Sequence, residues 1–127
     1  MEIEIIYGQI VGKSNNYQVI PDKAAGGRRI IKTEKLRAYE RSFDAQCKIY
    51  RNRLISCRFK FVAVIYQSNM RFDIDNSVKT VLDCLQYARA ITDDSLCVKL
   101  DIEKRIDPQR PRIEFGIEPI NEQKSLF

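Results

Sequence analysis

The stretch that most restricts how this chain can fold runs from Arg71 to Asp94. It reads R-F-D-I-D-N-S-V-K-T-V-L-D-C-L and ends in I-T-D-D. Asp73 and Asp75 stand just before an apolar-periodic run, and Asp93 and Asp94 stand behind it. In an extended segment, residues two apart point to the same side, roughly 6–7 Å from each other. Two carboxylates at that separation can share a divalent metal, and hard cations take oxygen ligands. Val78, Val81, Leu82, Leu85 and Ala88 recur at helical spacing and predict a helix from Asn76 to about Arg89. The expectation is that Asp73, Asp75 and one of the second pair converge on a metal. A structural reading stands beside it. Asp75 can be a helix N-cap with Asn76 opening the helix, and Asp93-Asp94 can be solvated turn residues.

Lys79 follows Asp75 by four residues, so it shares the metal-facing side of the first helical turn. Asp83 lies one turn further on, placed either to orient Lys79 or to pair with it at the surface.

The 127 residues fit one domain, assigned to 1–120, with a short tail at 121–127. The formal charge of +5 favours a polyanionic partner. Its cations crowd into Lys23 to Arg41 and Arg51 to Lys60. Local acids in a basic molecule suit an enzyme on nucleic acid, where acids hold a metal and cations meet the backbone. The four cysteines form no C-x-x-C pair and there is no histidine, which argues against a structural zinc site. The N-terminus is not a secretory signal. The longest apolar run, Phe61 to Tyr66, falls far short of the ~20 residues of a membrane span. These features predict a cytoplasmic protein with reduced thiols, no membrane association and no small-molecule cofactor.

In chain order, Ile3, Ile5 and Tyr7 alternate in a first strand. Tyr17–Ile20 and Arg28–Ile31 form a hairpin across P-D-K-A-A-G-G. Its Lys23, Arg28, Arg29 and Lys32 are candidate phosphate contacts or a solvated basic surface. Thr33-Glu34 opens a helix with the stripe Leu36, Tyr39, Phe43, Cys47 and Tyr50. Leu54 to Gln67 is the longest strand. Val62, Val64 and Tyr66 break the polar alternation of its second face, which predicts cover by a helix or a partner subunit. Leu96–Ile102 and Ile113–Ile117 are read as a hairpin joined by R-I-D-P-Q-R-P. The order predicts an α+β fold, a small mixed or antiparallel sheet with two main helices packed on it.

This ordered set resembles the RusA family of Holliday junction resolvases, common in prophages. The resemblance starts at Ser14-Asn15-Asn16, is strongest in D-I-D-N-S-V-K-T-V-L-D-C-L, and closes with the D-D pair. It implies a homodimeric, magnesium-dependent endonuclease, with manganese as a substitute metal. Such an enzyme makes paired symmetric nicks in four-way junction DNA during recombination and repair. It also implies Asp73, Asp75 and Asp94 as catalytic metal ligands and Lys79 as the catalytic lysine. Asn76, Asp83 and Asp93 would support them, and Asn16 and Arg71 would join the hairpin cations as DNA contacts. Two departures stand out. Gly12-Lys13 replaces a proline pair, and the basic run before the first aspartate is reduced to Asn69-Met70-Arg71-Phe72.

A non-catalytic DNA-binding protein with a structural acidic cluster is the alternative. An EF-hand is excluded because Val78 and Cys84 stand where glycine and glutamate are required. A nucleotide-sugar transferase is disfavoured by the short chain and the lack of a nucleotide-binding βαβ pattern.

Overall fold

The computed structural model describes residues 1–24 and 26–120; the tail assigned to 121–127 lies outside them. The elements are β1 (Glu4–Tyr7), β2 (Tyr17–Asp22), β3 (Gly27–Lys32), α1 (Glu34–Gln46), β4 (Phe59–Gln67), α2 (Ile74–Tyr87), a 3-10 turn (Asp94–Leu96), β5 (Cys97–Ile106) and β6 (Arg112–Pro119). A four-stranded sheet has the order β1-β6-β4-β5, and β2 with β3 forms a separate ribbon. The fold is α+β. Buried side chains from both helices meet one face of the larger sheet in a single core around Phe43, Tyr50, Phe59, Phe61, Val81, Leu85 and Phe115.

β4 organises the sheet because it alternates buried with half-buried residues along its whole length. Phe59, Phe61, Ala63 and Ile65 enter the core, while Val62, Val64 and Tyr66 are half-buried on the far face. Neither helix covers that face; Ile5 and Tyr7 of β1 extend it and are exposed. The inward residues of β1 are Glu4 and Ile6.

The expected hairpin between the last two strands does not form. β5 runs parallel to β4 and β6 antiparallel to it, so β4 separates them. Parallel neighbours need a crossover of a dozen or more residues. Here α2 supplies it, making β4-α2-β5 a βαβ unit whose first turn, Ser68–Phe72, has no glycine. Three boundaries also move. The strand expected from Leu54 begins only at Phe59, because positive φ at Asn52 and Leu54 turns the chain and leaves Ile55 in a lone bridge to Ile91. The first helix ends at Gln46, so Tyr50 is buried from the following turn. α2 starts two residues early, at Ile74.

Candidate functional site

Asp73 explains that early start. It is the N-cap of α2, with Oδ1 accepting the Asp75 backbone N–H at 2.9 Å. The D-x-D pair therefore straddles a helix start and does not lie in an extended segment. Both aspartates are exposed, and Asp75 sits in the first turn of α2. The cap uses one oxygen of Asp73 and leaves the other free. Lys79 is exposed one turn below Asp75 and makes no ion pair among the described residues.

The segment from Ile10 to Asn16 walls the site. The Gln67 side chain, wholly buried, accepts from Ile10 N at 3.1 Å and donates to Ile10 O at 3.2 Å. Thr80 Oγ1 donates to Val11 O at 2.8 Å. Asn76 Nδ2 donates to Ser14 Oγ at 2.6 Å, and Asn16 Nδ2 to Gly12 O at 2.6 Å. Gly12 is held so close that a Cβ there would stand 3.1 Å from Asn76 Cβ. Lys13, one of the departures from the family pattern, pairs with Asp83. Asp83 is thus engaged by Lys13, not by Lys79.

These contacts shape a cleft of about 210 Å³ at the start of α2, lined by Asn15, Asn16, Arg71, Asp73 and Asn76 among others. Its floor is a helix N-terminus, where unpaired N–H groups and the macrodipole favour an anion. Arg71 and the Asn15 amide add donors suited to phosphate oxygens, and Asn16 and Asn76 each keep one amide N–H beyond the bonds to Gly12 O and Ser14 Oγ. A larger groove of about 600 Å³ lies between α1 and α2, away from Asp73 and Asp75.

The second acidic pair is elsewhere. Asp93 caps the 3-10 turn, its Oδ1 accepting Ser95 N at 3.1 Å, and that bond from the Ser95 N–H holds its pKa below the usual carboxylate value. Asp94 N donates to Gln86 Oε1 at 3.0 Å, near the far end of α2. Gln86 lies roughly 16 Å along the helix axis from Asp75 at 1.5 Å per residue. Within one chain, the described residues bring no three carboxylates together at metal-binding distance. Asp73 and Asp75 alone still fit magnesium, which is commonly held by one or two carboxylates, with water and substrate phosphate completing the octahedron.

The hairpin cations divide. Lys32 is bonded to Glu40 at 2.8 Å, which raises its pKa, and Arg29 reaches Asp22 at 3.3 Å. Lys23 and Arg28 are exposed and make no ion pair among the described residues. Sequence reasoning missed Gln67, Thr80, Lys13 and Gln86. The only signal for them was a polar residue at a position where the apolar period calls for a buried one, as at Thr80 and Gln67.

No helix among the described residues is long and apolar enough to cross a membrane. No curated protein matches the chain. A family model described as endodeoxyribonuclease RusA matches residues 8–118, spanning the cleft wall, the D-x-D helix start, the D-D turn and all but the first strand of the large sheet. The chain belongs to the RusA family of endodeoxyribonucleases.

Proposed function

We propose that residues 1–120 form one nuclease domain that works as a homodimer on four-way DNA junctions, cutting with paired nicks in recombination and repair. The proposed metal is magnesium, held by Asp73 and Asp75 of one chain together with the partner's Asp94. The observation that carries this reading is the separation of the two acidic pairs along α2. If Asp94 acts at the same phosphate as Asp73 and Asp75, it comes from a second copy.

The edge strand β5 offers a way to bring it there. It leaves Val98, Leu100 and Ile106 about half exposed, and an unpaired edge is a template for another strand. Antiparallel pairing of two β5 edges about a two-fold axis sets the start of one strand beside the end of the other. The α2 helices then lie side by side and antiparallel. Pairing through Val62, Val64 and Tyr66 joins the faces remote from both helices and fits the site less well.

Magnesium, if held there, would polarise the phosphate and lower the pKa of a bound water. The chain's own residues bind and orient. Asp73 is held by its cap bond, so its free oxygen has a fixed direction. Arg71, Asn16 and the start of α2 receive the scissile phosphate and its neighbours. The Lys79 ammonium offsets charge developing on the phosphorane or the leaving oxygen. Lys23 and Arg28 contact the backbone further along an arm of the junction, beside Arg29 and Lys32.

Mixed dimers test the reading. Asp75→Asn and Asp94→Asn chains are each expected to bind junctions and fail to nick them with magnesium. A mixed dimer has one site carrying both lesions and one wild-type site. Mixing the two preparations should therefore restore single nicks. A mixture as inactive as either variant alone would refute the shared site, and wild-type nicking by Asp94→Asn would remove Asp94 from the chemistry.

A further inference from the structure

The β2–β3 ribbon carries more than its cations. Its register pairs Val19 with Ile30, Pro21 with Arg28 and Tyr17 with Lys32. Alternation then gives one face Tyr17, Val19, Pro21 and Ile30, with Arg28 and Lys32 on either side of Ile30. Val19 is 61% exposed and Ile30 70% exposed, side by side. The opposite face holds Ile20 and Ile31, both half-buried. The ribbon thus carries aliphatic residues on both faces, mixed with Gln18, Asp22 and Arg29 on one, and the pair on the Val19–Ile30 face is the more exposed.

Single exposed aliphatic residues are ordinary on protein surfaces. This pair differs in its setting. A two-stranded ribbon alone is marginally stable in water, and a solvent-facing β-branched pair at its centre adds an aggregation hazard that polar residues would remove. The ribbon also has four cations, Lys23, Arg28, Arg29 and Lys32, against the one carboxylate of Asp22. That charge matches a polyanion, and the cations without an ion pair among the described residues, Lys23 and Arg28, lie on the turn side of the apolar pair, where they suit phosphates bordering an opened base step. Its root is fixed at the cleft, where Thr33 N donates to Asn16 O at 2.9 Å and Asn16 lines the site at Asp73.

We infer that Val19 and Ile30 form an apolar wedge that enters the crossover of the junction and holds bases apart there, while Lys23 and Arg28 grip the flanking phosphates. The inference rests on the junction-cutting reading above and adds how the open centre of the DNA is recognised. Apolar side chains inserted between base steps are an established way to kink DNA. At a crossover the cost of unstacking is lowest, so the wedge favours junctions over duplex.

The test uses the full chain with EDTA, a four-way junction carrying 2-aminopurine at the crossover, and a duplex of the same sequence. Wild-type protein should raise the fluorescence at the crossover. Val19→Ser/Ile30→Ser should cut that rise by more than half and weaken junction binding roughly tenfold, since buried aliphatic surface is lost. Duplex binding and its salt dependence should stay near wild type. Val19→Phe keeps the ribbon apolar and should preserve or enlarge the rise. Arg28→Ala should weaken junction and duplex together. Junction binding by the wild type with no rise in fluorescence overturns the wedge alone. Equal wild-type affinity for junction and duplex overturns the underlying reading and the wedge with it. Dissociation of a dimer by the double serine variant would make this face an interface between copies and overturn the proposal.

Discussion

Asp73 caps α2 and is proposed to hold a metal, and two substitutions separate these roles. Asp73→Ala removes the acceptor of the 2.9 Å bond from Asp75 N. Losing an aspartate N-cap to alanine costs about 1 kcal/mol, within a range of roughly 0.5–2. With an unfolding entropy of about 2.1 cal/mol/K per residue, a chain of this length loses about 4 °C of Tm for each kcal/mol. Asp73→Asn keeps a side-chain oxygen at the same place, and asparagine caps as well as aspartate. It gives up charge at the helix start, a few tenths of a kcal/mol up to about 1, and relieves repulsion with Asp75. Its Tm should stay within about 2 °C of wild type. Nicking of a labelled junction with magnesium should nevertheless vanish in both variants, because an amide is a poor ligand for a hard cation. Thermal melts and nicking assays on the same preparations decide the matter. Wild-type nicking by Asp73→Asn would make the aspartate a cap and nothing more, and equal melting losses in the two variants would refute the capping geometry.

Two further outcomes concern stability. Burial pushes the Glu4 carboxyl up, but N–H donors from Lys48, Ile49 and Tyr50, with the Cys47 thiol, hold its pKa below the ordinary 4.5. A depressed folded pKa gives stability that is present above the unfolded value and lost as pH falls through the folded one. Glu4→Gln should therefore cost about 1–3 kcal/mol in urea melts at pH 7, with the gap to wild type closing below about pH 4.5; a gap constant down to pH 3 would contradict it. The Tyr39 hydroxyl is buried with no hydrogen-bond partner among the described residues, so Tyr39→Phe should leave stability unchanged or raise it by up to about 1 kcal/mol, and a clear loss in the same assay would reveal a hidden partner.

What the sequence made legible was periodic and local. The stripe Leu36, Tyr39, Phe43 and the run Val78, Val81, Leu85, Ala88 were readable as helix faces because each repeats at the helical period. β4 was readable by its alternation, and the glycines at 26 and 27, with φ of +80° and +106°, turn the ribbon where a hairpin was expected. Glu4 was not legible. An acid inside a strand reads as outward-facing until the backbone N–H groups that it satisfies, forty-odd residues later, are known. The pairing of β5 with β6 was misread for a related reason. Each alternates by itself, and nothing in that pattern records whether a third strand lies between them.

The same long-range fact decides the site. Sequence predicts that Asp73, Asp75 and one of the second acidic pair converge, but the element between the pairs is a single helix. A helix of 14 residues carries it about 21 Å in one direction, and only a following strand returns it. Asp94 precedes that strand, so it stays at the end where Cys97 pairs with Phe59, while Asp73 follows the other end of β4 at Gln67. The carboxylate that β5 does return is Asp107, whose N–H donates to Gln67 O at 2.9 Å. Its side chain is already committed, held by Arg112 at 2.9 Å and by Arg110 N at 3.2 Å, and the Arg112 bond keeps its pKa low. A chain with this topology therefore offers Asp75 and the uncommitted oxygen of Asp73 at one end of α2 and Asp94 at the other. In the proposed homodimer, two such chains set antiparallel would make up both deficits at once, which would link the proposed metal site to two matched nicks in a four-way junction.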